Sequence, residues 1–297
     1  MIPMWRGLHV RQEARRDPRA KLLLWLLGVS LLAGCARATA SAPAPKMILV
    51  SDIDDTIKLT RVVNRGHMGS ELENAFNAHG AFVGMQQVYS MLHARGVEID
   101  YVSGAPRLIS RLPTDFLEDS RFPSGEVFLR WNPFSSIEDF KVRTIRGILQ
   151  QNQAAHAILI GDNGERDCAS YERIREDPEI GFRVERIFIH KLYEGPPSMV
   201  LPSGQLVFVT AGELALALHA DGLLTTDQLR EVLVTVRDGL ASPSLKTSSH
   251  TLPAFSEIRT LDVESAFGQS KWPQDEVAEQ LLRDIKSREL ERARGGP

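Results

Sequence analysis

Between Lys46 and about Glu194, short apolar runs alternate with longer segments in which apolar residues recur every three to four positions. The runs MILVSDI (47–53), VEIDYVS (97–103), EVFLR (126–130), HAILIGD (156–162) and VERIFIH (184–190) are rich in Val, Ile and Phe and have strand lengths, so each predicts a buried strand. Between them, FVGMQQVYSMLHARG, LISRLPTDFLEDS, SIEDFKVRTIRGILQQN and SYERIRED carry the helical period, with Pro113 interrupting the second. Strand and helix in alternation predict an α/β fold, a central parallel sheet with helices on both faces. Ligands of such sheets sit beyond the carboxyl ends of the strands, so the residues that follow each strand become the candidates for chemistry.

Two stretches break the pattern. LTRVVNRGHMGSELENAFNAHG (59–80) is polar and weakly periodic, which predicts a small flap or cap behind the first strand. After KLYEGPP, the run MVLPSGQLVFV predicts a β-hairpin about Pro202-Ser203-Gly204. Helices near 211–220 and 225–239, a loop-rich stretch over 241–271 and a final helix within 273–294 complete a C-terminal extension. Thr225 and Gln228 have the spacing of a capping box.

The first 21 residues are of another kind. They hold Arg6, Arg11, Arg15, Arg16, Arg19 and Lys21 against Glu13 and Asp17, and an uncharged run, Leu22 to Gly34, follows. A basic segment leading into an apolar one is the order of a secretory signal. At 13 residues the run is shorter than the roughly 20 a membrane-spanning helix needs. It ends in Leu32-Ala33-Gly34-Cys35, which resembles the lipobox of bacterial lipoprotein precursors. That resemblance implies removal of residues 1–34, lipidation of Cys35 as the mature N-terminus, and membrane attachment through it. It also implies a place on the periplasmic side of a bacterial cell envelope, with Ala36 rather than Asp after the cysteine pointing to the outer membrane over the inner. The small, Pro/Ala-rich residues 35–46 suit a tether. The chain so divides into 1–34 signal, 35–46 tether, 47–197 catalytic domain and 198–297 extension.

Composition narrows the partners. Loss of residues 1–34 would remove six basic and two acidic groups and take the net charge from −3 to −7. An acidic chain has no general pull toward polynucleotide phosphate, and no nucleic-acid partner is expected. Cys35 and Cys168 are the two cysteines, so with Cys35 lipidated the fold rests on no internal disulfide. Cys168 adjoins Asp167 without an identifiable base and reads as a packed thiol.

The chemistry concentrates at the first strand end, where Asp52, Asp54 and Asp55 fall within four positions. Carboxylates at i and i+2 can point into one site, but there they repel and raise each other's pKa unless a cation lies between them. A hard divalent ion, most naturally Mg²⁺, removes that penalty and also neutralises a phosphate. A carboxylate so placed can attack phosphorus and form an aspartyl-phosphate. Asp52-x-Asp54-x-Thr56 resembles the first motif of the haloacid dehalogenase-like phosphatases. The later strands follow in register, with Ser103-Gly104 after the second, Lys141 on the helix before the fourth, and Gly161-Asp162 after it with Asp167 five residues on.

The resemblance implies a Rossmann-like haloacid dehalogenase fold with Mg²⁺ as cofactor. Asp52 would be nucleophile and metal ligand, and Asp54 general acid, then base, and metal ligand through its backbone carbonyl. Ser103, with backbone N–H groups near Gly104, would bind the phosphoryl oxygens, and Lys141 would stabilise their charge. Asp162 would ligate the metal, with Thr56 and Asp167 behind these groups. SDIDDTIKLT, YVSGAPRLI, FPSGEVFLR and LIGDNGERDCASYERI together resemble the phosphatidate phosphatase catalytic domain of the actin-patch type, related more distantly to the lipins, over roughly residues 46–194. This chain departs from that pattern in Ser103-Gly104-Ala105-Pro106-Arg107, where such domains tend to carry Ser-Asn-Ser-Pro-Trp. The implied activity is Mg²⁺-dependent hydrolysis of phosphatidate or a related phospholipid phosphomonoester at a membrane. A phosphatase of soluble phosphate esters and a catalytically silent lipid-binding module are the alternatives, and retention of both Asp52 and Asp54 argues against the last. Arg107 and Arg130-Trp131, after the second and third strands, either meet a head group or are ordinary loop residues.

Overall fold

The computed structural model describes residues 46–60, 79–164, 166–192, 202–241 and 259–294. The signal, Cys35, the tether before Lys46 and residues 61–78 of the flap lie outside them.

All five strands read from the sequence are present: β1 (Lys46–Ser51), then, after a short antiparallel ribbon of β2 (Lys58–Leu59) and β3 (His79–Ala81), β4 (Glu98–Pro106), β5 (Val127–Arg130), β6 (Ala155–Asp162) and β7 (Val184–His190). The ribbon closes the base of the flap. Between the strands run α1 (Met85–Ala94), α2 (Arg111–Asp119), α3 (Ile137–Gln151) and α4 (Asp167–Arg175). Pro113 is the third residue of α2, inside the first turn, where a missing N–H breaks no helical bond. In the main sheet the order is β5-β4-β1-β6-β7 with a sixth strand, β8 (Leu206–Phe208), beside β7, and every neighbouring pair is parallel.

The sixth strand follows the turn of the expected hairpin. Gly204, at φ 91°, and a Gln205 N–H to Pro202 carbonyl bond of 3.2 Å make the expected turn. The strand that leaves it, β8, pairs in parallel with β7, and the first arm of the expected hairpin, up to residue 201, lies outside the described residues. The exposed edge of β7 offers Leu206 and Phe208 an apolar sheet to join, and periodicity alone carries no information about that edge.

Helices α5 (Ala211–Ala220), α6 (Thr226–Ala241) and α8 (Glu276–Ala293) match expectation, and the Thr225–Gln228 capping box is formed in both directions. A further helix, α7 (Thr260–Gly268), lies in the stretch expected to be loop.

Strand alternation divides the core. Leu49 of β1 joins an apolar cluster with Ile158 and Phe188 of the sheet, Tyr89 of α1, and Leu214, Leu233 and Leu282 of α5, α6 and α8. Ile48 and Val50 point the other way, into a cluster with Ile145 and Leu149 of α3 and Ile174 of α4. Among the described residues both clusters lie within the compact unit Pro45–Pro297, which has a core of its own. Register then sets the site. Ser51 pairs with Ile160 on one side and Tyr101 on the other, which brings the residues after β1, β6 and β4 to one edge.

Candidate active site

Asp52 follows β1 directly and is pinned there by its N–H, which donates to the Ile160 carbonyl at 2.9 Å. Its carboxylate is 1% exposed. One oxygen accepts from Lys141 Nζ at 3.0 Å and the other from Thr56 Oγ1 at 3.2 Å. Burial at this depth is tolerable for a charge only with such partners.

Lys141 comes from the first turns of α3, a helix capped by Ser136, whose hydroxyl accepts from the Asp139 N–H. Its ammonium is also buried and spans Asp52 and Asp167, 2.5 Å from the latter. Asp167 opens α4, and its second oxygen accepts from the Asp162 N–H at 3.2 Å. Gly161 makes this possible: a Cβ there would lie 2.6 Å from the Cβ and Cγ of Asp167. The structure thus brings Asp52, Thr56, Lys141, Asp162 and Asp167 together.

Asp54 and Ser103 form the facing side. Ser103 Oγ donates to Asp54 Oδ2 at 3.0 Å and accepts from the Ala105 N–H at 3.0 Å. Desolvation lifts the Asp54 carboxyl above the usual carboxylate range, opposed chiefly by the charge of Lys58. Gly104 offers its carbonyl to Arg130 Nε, and the buried Arg130 guanidinium also donates to the carbonyls of Pro133 at 3.1 Å and Ser135 at 2.8 Å. Arg130 is therefore a clamp on two loops, not an exposed head-group contact.

The third aspartate has a structural duty. Asp55 adopts φ 56°, and its carboxylate accepts from the Thr60 N–H at 2.8 Å and hydroxyl at 3.1 Å, while its own N–H donates to the Lys58 carbonyl at 2.7 Å. An aspartate tolerates this left-handed turn better than most residues. The turn carries the chain from the site into β2 and buries Lys58, at 2% exposed, near the Phe116 ring. Burial lowers the Lys58 amine, opposed by Asp54. Sequence reading passed over Lys58. Its one signal is a lone lysine inside the apolar stretch Thr56-Ile57-Lys58-Leu59.

Two further groups have packing roles. His190, held down to about 4 by burial, sets its ring nitrogens 3.0 Å from the Thr56 carbonyl and 3.1 Å from that of Val209, and the one N–H of the neutral ring donates to one of them. Burial pushes the Cys168 thiol up to about 12, which suits a packed thiol and not a nucleophile.

Asp52, Asp162 and Asp167 each present a carboxylate oxygen within 4.8 Å of the others, and all three are buried. Three carboxylates against the Lys141 ammonium leave a formal excess of negative charge in the interior. A donor set of carboxylate oxygens suits a hard divalent ion such as Mg²⁺. The residues therefore fit the expected cofactor. Asp167 stands within the cluster itself as well as bonding Lys141, and the Asp54 carboxylate is turned toward Ser103.

Comparison with known proteins adds a family. Residues 47–191 match the family described as "Phosphatidate phosphatase APP1, catalytic domain". Phosphatidate phosphatase APP1 of Saccharomyces cerevisiae is 35% identical over 135 residues, 41% of this chain and 22% of that protein. The chain thus spans about a fifth of that relative's length. A solved structure, the class C acid phosphatase of Bacillus anthracis with tungstate bound, covers 48% of this chain and 59% of its own at 17% identity and a TM-score of 0.33, a likeness too slight to bear on the site.

Proposed function

We propose that residues 47–191, which match the phosphatidate phosphatase APP1 catalytic-domain family, hydrolyse a phosphomonoester through an aspartyl-phosphate on Asp52, with phosphatidate or a related phospholipid phosphomonoester as substrate. The observation that carries this is the setting of Asp52, buried, held through both oxygens, and beside a second pair of carboxylates.

Lys141 and Thr56 hold the Asp52 carboxylate in place, one on each oxygen. Held among Asp52, Asp162 and Asp167, with the Asp54 carbonyl, Mg²⁺ would supply neutralisation of the phosphoryl oxygens. Ser103 and the backbone near Gly104 bind those oxygens from the other side. An Asp52 oxygen forms a bond to phosphorus as the ester P–O bond breaks, and the Asp54 carboxyl gives its proton to the departing alcohol oxygen. Asp54, now a carboxylate, takes a proton from water, whose oxygen bonds to phosphorus as the Asp52–phosphorus bond breaks. Inorganic phosphate leaves and both aspartates return to their starting states.

The lipobox-like Leu32–Cys35 supports a membrane location, with lipidated Cys35 anchoring the domain on the periplasmic side of a bacterial envelope, and Ala36 favours the outer membrane. Cys35→Ser should then move the protein from the membrane to the soluble fraction of cells. To test the activity, the protein is given phosphatidate micelles, nucleotides and sugar phosphates with and without Mg²⁺, beside Asp52→Asn. The expected result is Mg²⁺-dependent phosphate release, greatest from phosphatidate and absent in the variant. Undiminished release by Asp52→Asn would overturn the mechanism.

A further inference from the structure

Among the described residues seven large hydrophobic side chains are exposed, and three of them crowd one corner: Leu108 at 94%, Trp131 at 78% and Phe134 at 86%. Leu108 follows β4 in a short 3₁₀ turn (Arg107–Ile109), and Trp131 and Phe134 follow β5. These strands are adjacent and parallel, with Pro106 opposite Arg130, so both loops leave the same carboxyl edge, a few residues beyond Ser103. We propose that this corner is a lipid-docking rim: Leu108, Trp131 and Phe134 enter the interfacial layer of an anionic phospholipid bilayer while Arg107 and Arg111 meet its phosphates. The proposal rests on the phospholipid reading above, since a substrate that resides in the bilayer must be met there.

Exposure alone is ordinary for single residues. Here it is imposed by polar bonds that hold the loops open. Arg130, beneath them, bonds the carbonyls of Gly104, Pro133 and Ser135. Asn132 Oδ1 accepts from the Phe134 N–H at 2.9 Å, and the Asn132 carbonyl accepts from the Ser135 hydroxyl at 2.7 Å. The Arg107 guanidinium lies 4.9 Å from the centroid of the Trp131 ring and couples one loop to the other. A rigid rim loses little conformational entropy on docking.

Charge selects the occupant. Residues 107–111 hold Arg107 and Arg111, both exposed, residues 131–136 hold no charge, and neither loop holds an acid, on a chain of net charge −3. A local cationic rim on an acidic protein is attracted to anionic lipid head groups through this face, not through the whole surface. Trp and Arg are also the residues that keep an apolar body in the acyl boundary and a polar end in the head groups. Docked this way, the rim brings the Ser103–Asp54 edge to the depth at which a phospholipid's phosphate lies.

The test uses the unit 45–297, which carries its own core, and vesicles of phosphatidylcholine with or without phosphatidylserine, an anionic lipid that is not a phosphomonoester. Leu108→Ser with Phe134→Ser keeps Trp131 as a fluorescent reporter. Phe182→Ser, an equally exposed site at 76% in the turn that precedes β7 and hence at the opposite edge of the sheet, is the control. Wild type and Phe182→Ser should sediment with anionic vesicles and shift Trp emission to the blue. The double variant should partition at least tenfold less, with Mg²⁺-dependent hydrolysis of p-nitrophenyl phosphate in solution unchanged. Wild type that ignores anionic vesicles, a double variant that binds as well as wild type, or an equal loss in Phe182→Ser would each overturn the rim. Wild type that binds vesicles through the rim but hydrolyses no phosphomonoester would support the rim and overturn the phosphatase reading.

Discussion

Gly161→Ala offers a test of the site that substitutes none of its charged groups. Gly161 is buried one residue before Asp162, and a methyl group there would sit 2.6 Å from Asp167 Cβ and Cγ and 2.7 Å from Asp167 Oδ2. Carbon atoms rest at about 3.5–4.0 Å, so Asp167 must retreat by about 1 Å. That retreat stretches its 2.5 Å pair with Lys141 and its 3.2 Å bond to the Asp162 N–H. Overpacking of this kind costs about 1–3 kcal/mol. At about 2–4 °C per kcal/mol for a unit of this size, Tm should fall by about 2–12 °C. A misplacement of about 1 Å in a site built on alignment costs about 10²-fold in rate, so kcat on p-nitrophenyl phosphate should drop by about that factor. Asp167→Ala separates the two effects. Its Cβ remains, so Gly161→Ala with Asp167→Ala keeps the 2.6 Å clash and its loss of Tm, yet should be no slower than Asp167→Ala alone, because both changes remove the same contact. A Gly161→Ala protein with wild-type kcat and Tm would refute the claim that this glycine positions Asp167.

Mg²⁺ should raise Tm and chelation should lower it, by up to about 2.7 kcal/mol of stabilisation at a hundredfold excess over Kd, and Asp162→Asn should abolish most of the shift in a thermal melt. Glu213 of α5 and Glu289 of α8 meet in the interior, and both carboxyls stand above the usual range, Glu213 through burial and Glu289 through burial and then the charge of Glu213. A carboxyl raised by folding binds its proton more tightly in the native state, so its stability is full below the ordinary Glu value of about 4.3 and is lost as pH climbs through the folded values. Tm should therefore decline as pH rises from 5 toward 8, and Glu289→Gln, which keeps the neutral form, should flatten the decline and raise Tm at pH 8. A steeper decline in Glu289→Gln would contradict the assignment.

What the sequence made legible follows from which constraints are local. Buried parallel strands must be apolar on both faces, so β1, β4, β6 and β7 announce themselves, and their order with helices between fixes the sheet's kind. The site was legible for the same reason: Asp52, Ser103, Lys141 and Asp162 each sit at a position defined by its own strand or helix, and parallel register brings them together. The pairing of β8 with β7 was not legible because it depends on an edge more than a dozen residues away in sequence, and α7 because its nine residues carry little amphipathic contrast. The pairing of Glu213 with Glu289 joins two helices 76 positions apart, and no local pattern marks it.

The run of three aspartates shows how the same residue type answers three different demands. Asp52 is buried between Lys141 and Thr56, each of which donates to one of its carboxylate oxygens. Asp54 lies across the site on Ser103, where desolvation lifts its carboxyl above the usual range, as the proposed proton donor needs. Asp55 is spent on the backbone: its left-handed turn and its bonds to Thr60 redirect the chain and set Lys58 beside Asp54. Asp55→Ala, losing that turn, should disturb the site through Lys58 and not through the metal cluster, so its Tm response to Mg²⁺ should persist while Asp162→Asn loses it. The crowding of like charges is thus resolved in space, with one carboxylate toward the cluster, one toward the serine and one into the backbone.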